Sequence, residues 1–190
     1  MADMKPFTNE RNTSMSSDKG KGETAQQSLA EFHELYITWL PPVYRYFYYR
    51  VMNAKDAEDL TAQVFLKVYE ELSNYRNHGQ FPAWLFTIAR HKAADFFRKR
   101  HPSISLEMTD PIDKALDLQA QVIQTDEIQR LRQLIRTLPE EEQELIRLRF
   151  VAALGYREIG LVLHRKEDAV RKSISRLLIR LQNQLEEKND

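Results

Sequence analysis

Apolar residues recur at helical spacing through most of the chain, and the alternation typical of strands is not found. Two stripes show the spacing most clearly: Leu60, Val64, Val68 and Leu72, and Val170, Ile174, Leu177 and Leu181. Residues three, four and seven apart share one face of a helix, so each stripe predicts an amphipathic helix. The pattern predicts an all-α fold of two helical domains joined by a flexible linker.

The distribution of polar residues divides the chain into four segments. Residues 1–28 are poor in apolar side chains, and burial cannot offset their ordering entropy, so a disordered tail is expected. Residues 29–101 are aromatic-rich and form a first helical block, and residues 125–187 form a second. Residues 102–124 are expected to be an acidic linker, because residues 102–130 hold six acids against two cations.

Two helices are expected in the first block. One covers 56–72, with Asp56 as its cap and Asp59 three residues later in a capping-box-like arrangement. From the pattern alone, its polar face is interpreted as ordinary solvation. The other begins with Pro82 in its first turn and runs to about Arg100.

The second of these helices is strongly basic. Residues 86–101 hold five Lys/Arg and one Asp, a local charge of +4. Trp84 lies outside the apolar stripe, and it can either stack on a nucleic-acid base or pack on a neighbouring helix. The pattern by itself favours packing.

The second block has the layout of a helix-turn-helix. A helix is expected from Pro139, with Arg147 and Arg149 near its end and Gly155 as the glycine that terminates it. A short helix then runs from Tyr156 to Leu163, followed by a turn at 164–166 and a longer helix from Glu167 to about Gln184. Gly160 is expected where the two helices approach closely.

Charge supports DNA binding by this block. Residues 155–180 hold seven Lys/Arg and three acids, a net charge of +4. Basic side chains at the rim of such a helix neutralise phosphates, and residues near its start reach base edges in the major groove. The alternative is an ordinary helical hairpin with a solvated basic face.

Composition excludes several classes of protein. Lys+Arg and Asp+Glu are both 28, which excludes a globally basic coat protein, and the absence of Cys excludes disulfide scaffolds and thiol catalysis. No apolar run reaches the roughly 20 residues that span a bilayer, so no membrane insertion and a cytoplasmic location are expected. The five His residues lack metal-ligand spacing and no nucleophile–base pair is evident, so neither enzymatic activity nor a cofactor is expected.

Two motifs resemble the sigma-70 family of bacterial RNA polymerase sigma factors. Their core domain resembles 56–72, DAEDLTAQVFLKVYEEL, with 81–100, FPAWLFTIARHKAADFFRKR. Their promoter-binding domain resembles 138–181, LPEEEQELIRLRFVAALGYREIGLVLHRKEDAVRKSISRLLIRL. The order of the motifs resembles the extracytoplasmic function (ECF) subfamily over roughly 29–187. The chain departs from the family's usual Asn, Ala and Gly in having His91, Gly160 and Asp168.

The resemblance implies a factor that binds core polymerase, recognises the −10 and −35 promoter elements and helps to open the DNA. It implies contacts with the β′ clamp helices and the β flap, with promoter DNA, and with an anti-sigma factor. For core polymerase it points to Asp56, Asp59, Gln63 and Lys67. For the −10 element it points to Asn77, His78, Gln80, Arg90, His91, Arg98 and Lys99. For the −35 element it points to Arg165, Lys166, Asp168, Arg171, Lys172, Ser175 and Arg176.

Two other functions stay open at this point. A helix-turn-helix regulator that is not a polymerase subunit would bind promoter DNA tightly by itself. A helical module that only binds proteins would present its basic faces to acidic partners and would ignore DNA.

Overall fold

Seven α-helices dominate the residues that the computed structural model describes, which are 16–75, 79–99 and 126–186. In chain order they are α1 (Ser16–Val51), α2 (Ala54–Glu71), α3 (Phe81–Lys99), α4 (Asp126–Thr137), α5 (Glu140–Ile146), α6 (Tyr156–Leu163) and α7 (Glu167–Glu186). No strand occurs in the described ranges, and the predicted all-α fold with two helical domains is confirmed. The predicted linker at 102–124 lies outside the described residues.

The first helix begins earlier than the sequence pattern indicated. Because α1 starts at Ser16, the prediction of a disordered tail is corrected for residues 16–28, while residues 1–15 lie outside the described part. Once a helix is nucleated, each added residue gains a hydrogen bond for the dihedrals that it fixes, so a polar segment can extend it. The chain divides into two compact units, Met1–Thr38 and Trp39–Asp190, and α2–α7 lie in the second.

Aromatic side chains form the core of the first block. The ring of Tyr46 in α1 meets that of Phe86 in α3 edge-on, with centroids 5.5 Å apart, and the Trp39 ring lies 6.3 Å from those of Phe81 and Phe86. Leu60, Val64 and Val68 of the expected stripe are buried and α2 packs on α3, whereas Leu72 is half-buried in the 3-10 turn that follows α2. The buried residues of α2 are Ala57, Leu60, Thr61, Val64, Phe65 and Val68.

The cap of α2 differs from the prediction. Asn53, not Asp56, is the N-cap, and its Oδ1 accepts the backbone N–H of Asp56 at 3.0 Å. A side-chain oxygen at the N-cap satisfies an otherwise unpaired amide of the first turn, so α2 begins at Ala54. Asp56 lies in that first turn, where a carboxylate suits the positive end of the helix dipole.

The second block is organised around α7, which packs on α4, α5 and α6. The predicted stripe of α7 is buried, and its Leu177 and Leu181 join Leu138 in a cluster that Leu134, Ile135 and Ile146 extend. Burial of this stripe leaves the opposite side of α7 free to carry charge.

The connection between α5 and α6 corrects a second prediction. The helix expected to continue to Gly155 changes at Arg147–Val151 into one π-helical turn, in which the Ala152 N–H donates to the Arg147 carbonyl at 2.9 Å. Ala153 takes the left-handed conformation, with φ of 57°. Gly155 has φ of −71° and is the N-cap of α6, so it does not terminate the preceding helix.

Candidate nucleic-acid interface

One side of α7 and the turn before it carry the residues predicted to contact duplex DNA. All seven are exposed, whereas the opposite side of α7 is buried. Positions 168, 171, 172, 175 and 176 follow the helical repeat, so they share a face that the turn residues 165 and 166 extend. We call this surface the α7 basic face: Arg165, Lys166, Asp168, Arg171, Lys172, Ser175 and Arg176.

The turn between α6 and α7 requires glycine at position 160. The Arg165 N–H donates to the Gly160 carbonyl at 2.8 Å, and His164 takes the left-handed conformation with φ of 53°. A Cβ on Gly160 would lie 2.6 Å from the Arg165 carbonyl oxygen, which is closer than packing allows. The prediction of a close approach at Gly160 is therefore confirmed, and this approach places Arg165 at the edge of α7.

An aromatic ring that the sequence analysis did not single out supports the α7 basic face. The guanidinium of Arg149 lies 4.7 Å and that of Arg171 5.3 Å from the centroid of the Tyr156 ring. Arg171 also pairs with Glu167 at 2.8 Å. Cation–π contact and the ion pair together restrict where the Arg171 side chain can lie.

The residues predicted for the −10 element differ in exposure, unlike those of the α7 basic face. His91, Arg98 and Lys99 are exposed on α3, and Arg98 pairs with Asp95 at 2.7 Å. Gln80 and Arg90 are only half-exposed. The remaining two predicted residues, Asn77 and His78, lie outside the described residues.

Trp84 packs against its own helical block. Its ring stacks on Tyr75 with centroids 4.5 Å apart and lies 5.6 Å from the Phe81 ring. Trp84 therefore packs, but on Tyr75 and on Phe81 of its own helix rather than on a neighbouring helix, and the stack fixes the start of α3 next to the chain that precedes it.

The free face of α2 is less polar than its sequence indicated. Asp59 and Gln63 are exposed as expected, but Lys67 pairs with Glu71 at 2.8 Å, and that hydrogen bond raises the pKa of Lys67. Leu66 is 60% exposed on the same side. Tyr69, one helical turn after Leu66, is 56% exposed. Leu66 and Tyr69 are neighbours on the helix surface, and contiguous exposed apolar side chains are a feature of protein-binding surfaces.

An ionic cluster joins the end of α1 to α5 and the π-helical turn, and it is buried except for the Glu140 side chain, which is 61% exposed. The Tyr46 hydroxyl donates to Glu144 Oε1 at 2.8 Å, and Arg50 pairs with Glu144 and, at 2.8 Å, with Glu140. Arg147 donates from Nε to Glu144 Oε2 at 3.1 Å and pairs with Glu140 at 2.5 Å. We call these five residues the ionic cluster. The sequence analysis had treated Arg147 as an ordinary cation near a helix end.

The environment of the ionic cluster shifts two pKa values. Burial, with repulsion from Glu144, raises the pKa of Tyr46 far above its usual value, so its hydroxyl remains a donor. Burial works against the charge of Arg50, but the attraction of the Glu144 and Glu140 carboxylates outweighs it and raises the pKa of that guanidinium.

Neither a membrane-spanning helix nor a metal-binding cluster is found among the described residues. None of their helices combines the length and hydropathy required to cross a bilayer. No three His, Asp or Glu side chains in these ranges are grouped as metal ligands.

Comparison with known proteins decides the family. The protein-family model of Sigma-70 region 2 matches residues 35–102, and the family model of Sigma-70 region 4 matches residues 128–181. The sigma factor ShbA of Streptomyces griseus is 30% identical over 177 residues, which cover 86% of this chain and 88% of that protein. The chain belongs to the ECF sigma factors of the sigma-70 family. Region 2 of this sigma factor is thus matched at residues 35–102 and region 4 at residues 128–181.

Other sigma factors match as well. BldN of Streptomyces coelicolor is 33% identical over 78% of this chain, which spans 58% of the length of BldN. The fold of this sigma factor resembles that of RpoE in its complex with the anti-sigma factor NepR from Bartonella quintana. The TM-score is 0.63 at 22% identity, over 82% of this chain and 97% of RpoE.

Proposed function

We propose that this sigma factor directs initiation through three surfaces, one for core polymerase and two for promoter DNA. The α2 face at Asp59, Gln63 and Leu66 docks on the β′ clamp helices. The exposed side of α3 at His91 and Arg98 contacts the −10 element, and the α7 basic face contacts the −35 element. The chain itself performs no chemistry in this proposal, since the polymerase makes the RNA.

The observation that carries the proposal is the geometry of α6, the turn and α7. A short helix, a tight turn held by Gly160 and a longer helix with an exposed cationic side form the arrangement that enters a major groove. Arg171, Lys172 and Arg176 lie on the exposed side and can reach phosphates or base edges. Family membership favours this function over a regulator that acts without polymerase.

The α2 face fits a protein partner rather than DNA. Its exposed Leu66 offers apolar area for burial, and Asp59 and Gln63 supply hydrogen-bonding groups around it. Lys67 is already paired with Glu71, so we assign it a role in stabilising α2 in addition to any contact with polymerase. We further propose that the factor works in the cytoplasm, where its polymerase is found.

The experiment that tests the assignment removes two cations from the α7 basic face. In the holoenzyme, Arg171→Ala with Lys172→Ala should weaken capture of a −35/−10 promoter. A plot of log affinity against log salt concentration should become less steep by about two, because each phosphate contact contributes about 0.9 to the magnitude of its slope. A template whose −10 region is already melted should partly restore open complexes. The yield of run-off transcript from that template measures the restoration, because its thymines are unpaired before polymerase binds.

Arg180→Ala is the matched control, because Arg180 is an α7 cation that pairs with Glu142 of region 4. It should leave capture and salt slope close to those of the unmodified factor. If the 171/172 variant captures promoters normally but fails to open them, the roles assigned to α3 and α7 are exchanged.

A further inference from the structure

The α7 basic face includes one acidic residue, Asp168, among five cations. Its side chain is exposed in the first turn of α7. A negative charge on a surface that meets phosphates repels the DNA backbone whatever the sequence, so phosphate contact does not explain this residue. Asp168 must therefore either serve the helix itself or meet a group of the DNA that is not a phosphate.

Stabilisation of the helix does not require Asp168. A carboxylate in a first turn interacts favourably with the helix dipole, but Glu167 lies in the same turn and already supplies one. Glu167 also pairs with Arg171 at 2.8 Å, whereas the Asp168 carboxylate forms no hydrogen bond or ion pair within the part of the chain that the structure describes. The nearby Arg165 donates instead to the Ser173 hydroxyl at 2.6 Å. The oxygens of Asp168 are therefore available to a partner outside the chain.

Asp168 lies at the part of α7 that would enter a major groove deepest. Successive residues of an α-helix are about 100° apart around its axis, so Asp168 lies within about 30° of the direction opposite the buried stripe, whereas Arg171 lies about 90° from it. Asp168 also belongs to the first turn, and the N-terminal residues of the helix that enters the groove contact base edges. The middle of this face meets the bases, and its edges meet the phosphate backbones on either side.

A carboxylate in that position discriminates between the four bases. An ionised carboxylate only accepts hydrogen bonds. In the major groove guanine presents two acceptors, O6 and N7, and thymine presents the acceptor O4, so both repel it. Adenine has an N6 amino group, but the acceptor N7 lies beside it. Cytosine presents its N4 amino group without an acceptor of its own, and it is the base that suits a carboxylate.

We propose that Asp168 selects cytosine at one base pair of the −35 element by accepting a hydrogen bond from the N4 amino group. This inference rests on the proposed function, in which the α7 basic face binds that element. The same carboxylate repels duplexes that present an acceptor at this position. Asp168 thus raises specificity by penalising other sequences as well as by binding cytosine.

Selection from a promoter with a randomised −35 element tests the assignment. The holoenzyme is mixed with duplexes of one promoter that it transcribes, randomised over the −35 element and constant elsewhere, and the bound duplexes are sequenced. At one position cytosine should be enriched about fivefold over each other base. That factor corresponds to about 1 kcal/mol, the lower end for a good contact between a side chain and a base.

Two substitutions of Asp168 should change the preference at that position in different ways. Asp168→Ala removes the acceptor and should abolish the preference. Asp168→Asn supplies an amide, which pairs with N6 and N7 of adenine, so the preference should move from cytosine to adenine. Both variants should keep the preferences at the other positions of the element. Circular dichroism of each variant establishes that its helices remain.

Glu141→Ala is the matched control, because it also removes one exposed acid from the first turn of a helix in region 4, but in α5. It should keep the cytosine preference. Asp168→Ala binding every duplex more tightly by one common factor would overturn the proposal, since the carboxylate would then face phosphates. Both Asp168 variants selecting the same sequence as the unmodified factor would also overturn it, and would leave Asp168 a role in the helix alone.

Failure of the proposed function gives a different result. If the α7 basic face does not bind the −35 element, the unmodified factor enriches no base at any randomised position, and both the proposed function and the role of Asp168 are overturned. A factor that selects a −35 sequence independently of Asp168 leaves the proposed function intact and overturns only the inference about this residue.

Discussion

Single residues fix the geometry of the helix-turn-helix proposed to bind the −35 element, and Gly160 does so most directly. The carbonyl of Arg165 occupies the space that a side chain at position 160 would need. The family's usual alanine at that position would therefore require the turn to move. Glycine in a helix costs roughly 1 kcal/mol against alanine, and here the close turn outweighs that cost.

Replacement of Gly160 by alanine should destabilise region 4. We expect Gly160→Ala to lower the free energy of unfolding by about 1–3 kcal/mol, because backbone atoms must shift to remove the overlap. Thermal or urea unfolding followed by circular dichroism measures the change.

Gly155→Ala is the control for this prediction, since a Cβ there would lie 3.4 Å from the flexible Glu158 carboxylate and position 155 has negative φ. It should cost less than Gly160→Ala. Equal losses at both positions would show that general helix effects, and not the turn, determine the result.

At the scale of elements, the N-cap and the buried stripe hold α2 in place, and its exposed face carries the docking role that we propose. Asn53 starts the helix and Val64 and Val68 anchor it, which leaves Gln63 and Leu66 exposed on one side. Burial of such a leucine in a complex contributes roughly 1.5–3 kcal/mol at most, so it can dominate a small docking surface.

Removal of this leucine should weaken polymerase binding without unfolding α2. Leu66→Ser should raise the dissociation constant for core polymerase about tenfold, equivalent to about 1.4 kcal/mol. Leu29→Ser, at a leucine of α1 that is 58% exposed, is the matched control. Competition binding with a labelled factor measures both. An equal loss in the two variants would show that α2 is not the docking element.

Helical periodicity predicted several elements well. The short helix at 156–163, the turn after it and the buried stripe of α7 all follow from the sequence, because local repeat and burial agree there. The start of α1 did not, since helix extension into a polar segment has no apolar signal. The role of Gly155 was also mistaken, because glycine marks both the end of one helix and the start of another.

The exposure or burial of individual side chains was harder to predict than the helices. Helical spacing places Leu66 with Asp59 and Gln63, but the sequence does not show that a leucine remains 60% exposed there. The ionic cluster was missed for a different reason. Tyr46 and its partner Glu144 are 98 positions apart, and a glutamate near a helix start is normally interpreted as dipole stabilisation.

For the whole molecule, the structure combines two helical regions that belong to one initiation factor. Region 2 carries the proposed polymerase and −10 surfaces, and region 4 carries the proposed −35 surface. The chain between them, residues 102–124, could extend to about 80 Å at roughly 3.4 Å per residue. The −35 and −10 elements are about 25 base pairs apart, which is roughly 85 Å of duplex. The linker and the widths of the two domains together are sufficient to cover that distance.

Run-off transcription with purified bacterial core polymerase and a pool of genomic promoters tests the central claim most directly. The factor should give transcripts from a defined subset of promoters that core polymerase alone does not transcribe. The Leu66→Ser variant should reduce those transcripts about tenfold, and excess factor should restore them. No promoter-specific transcript, together with tight promoter binding by the factor without polymerase, would contradict the account and favour an independent helix-turn-helix regulator.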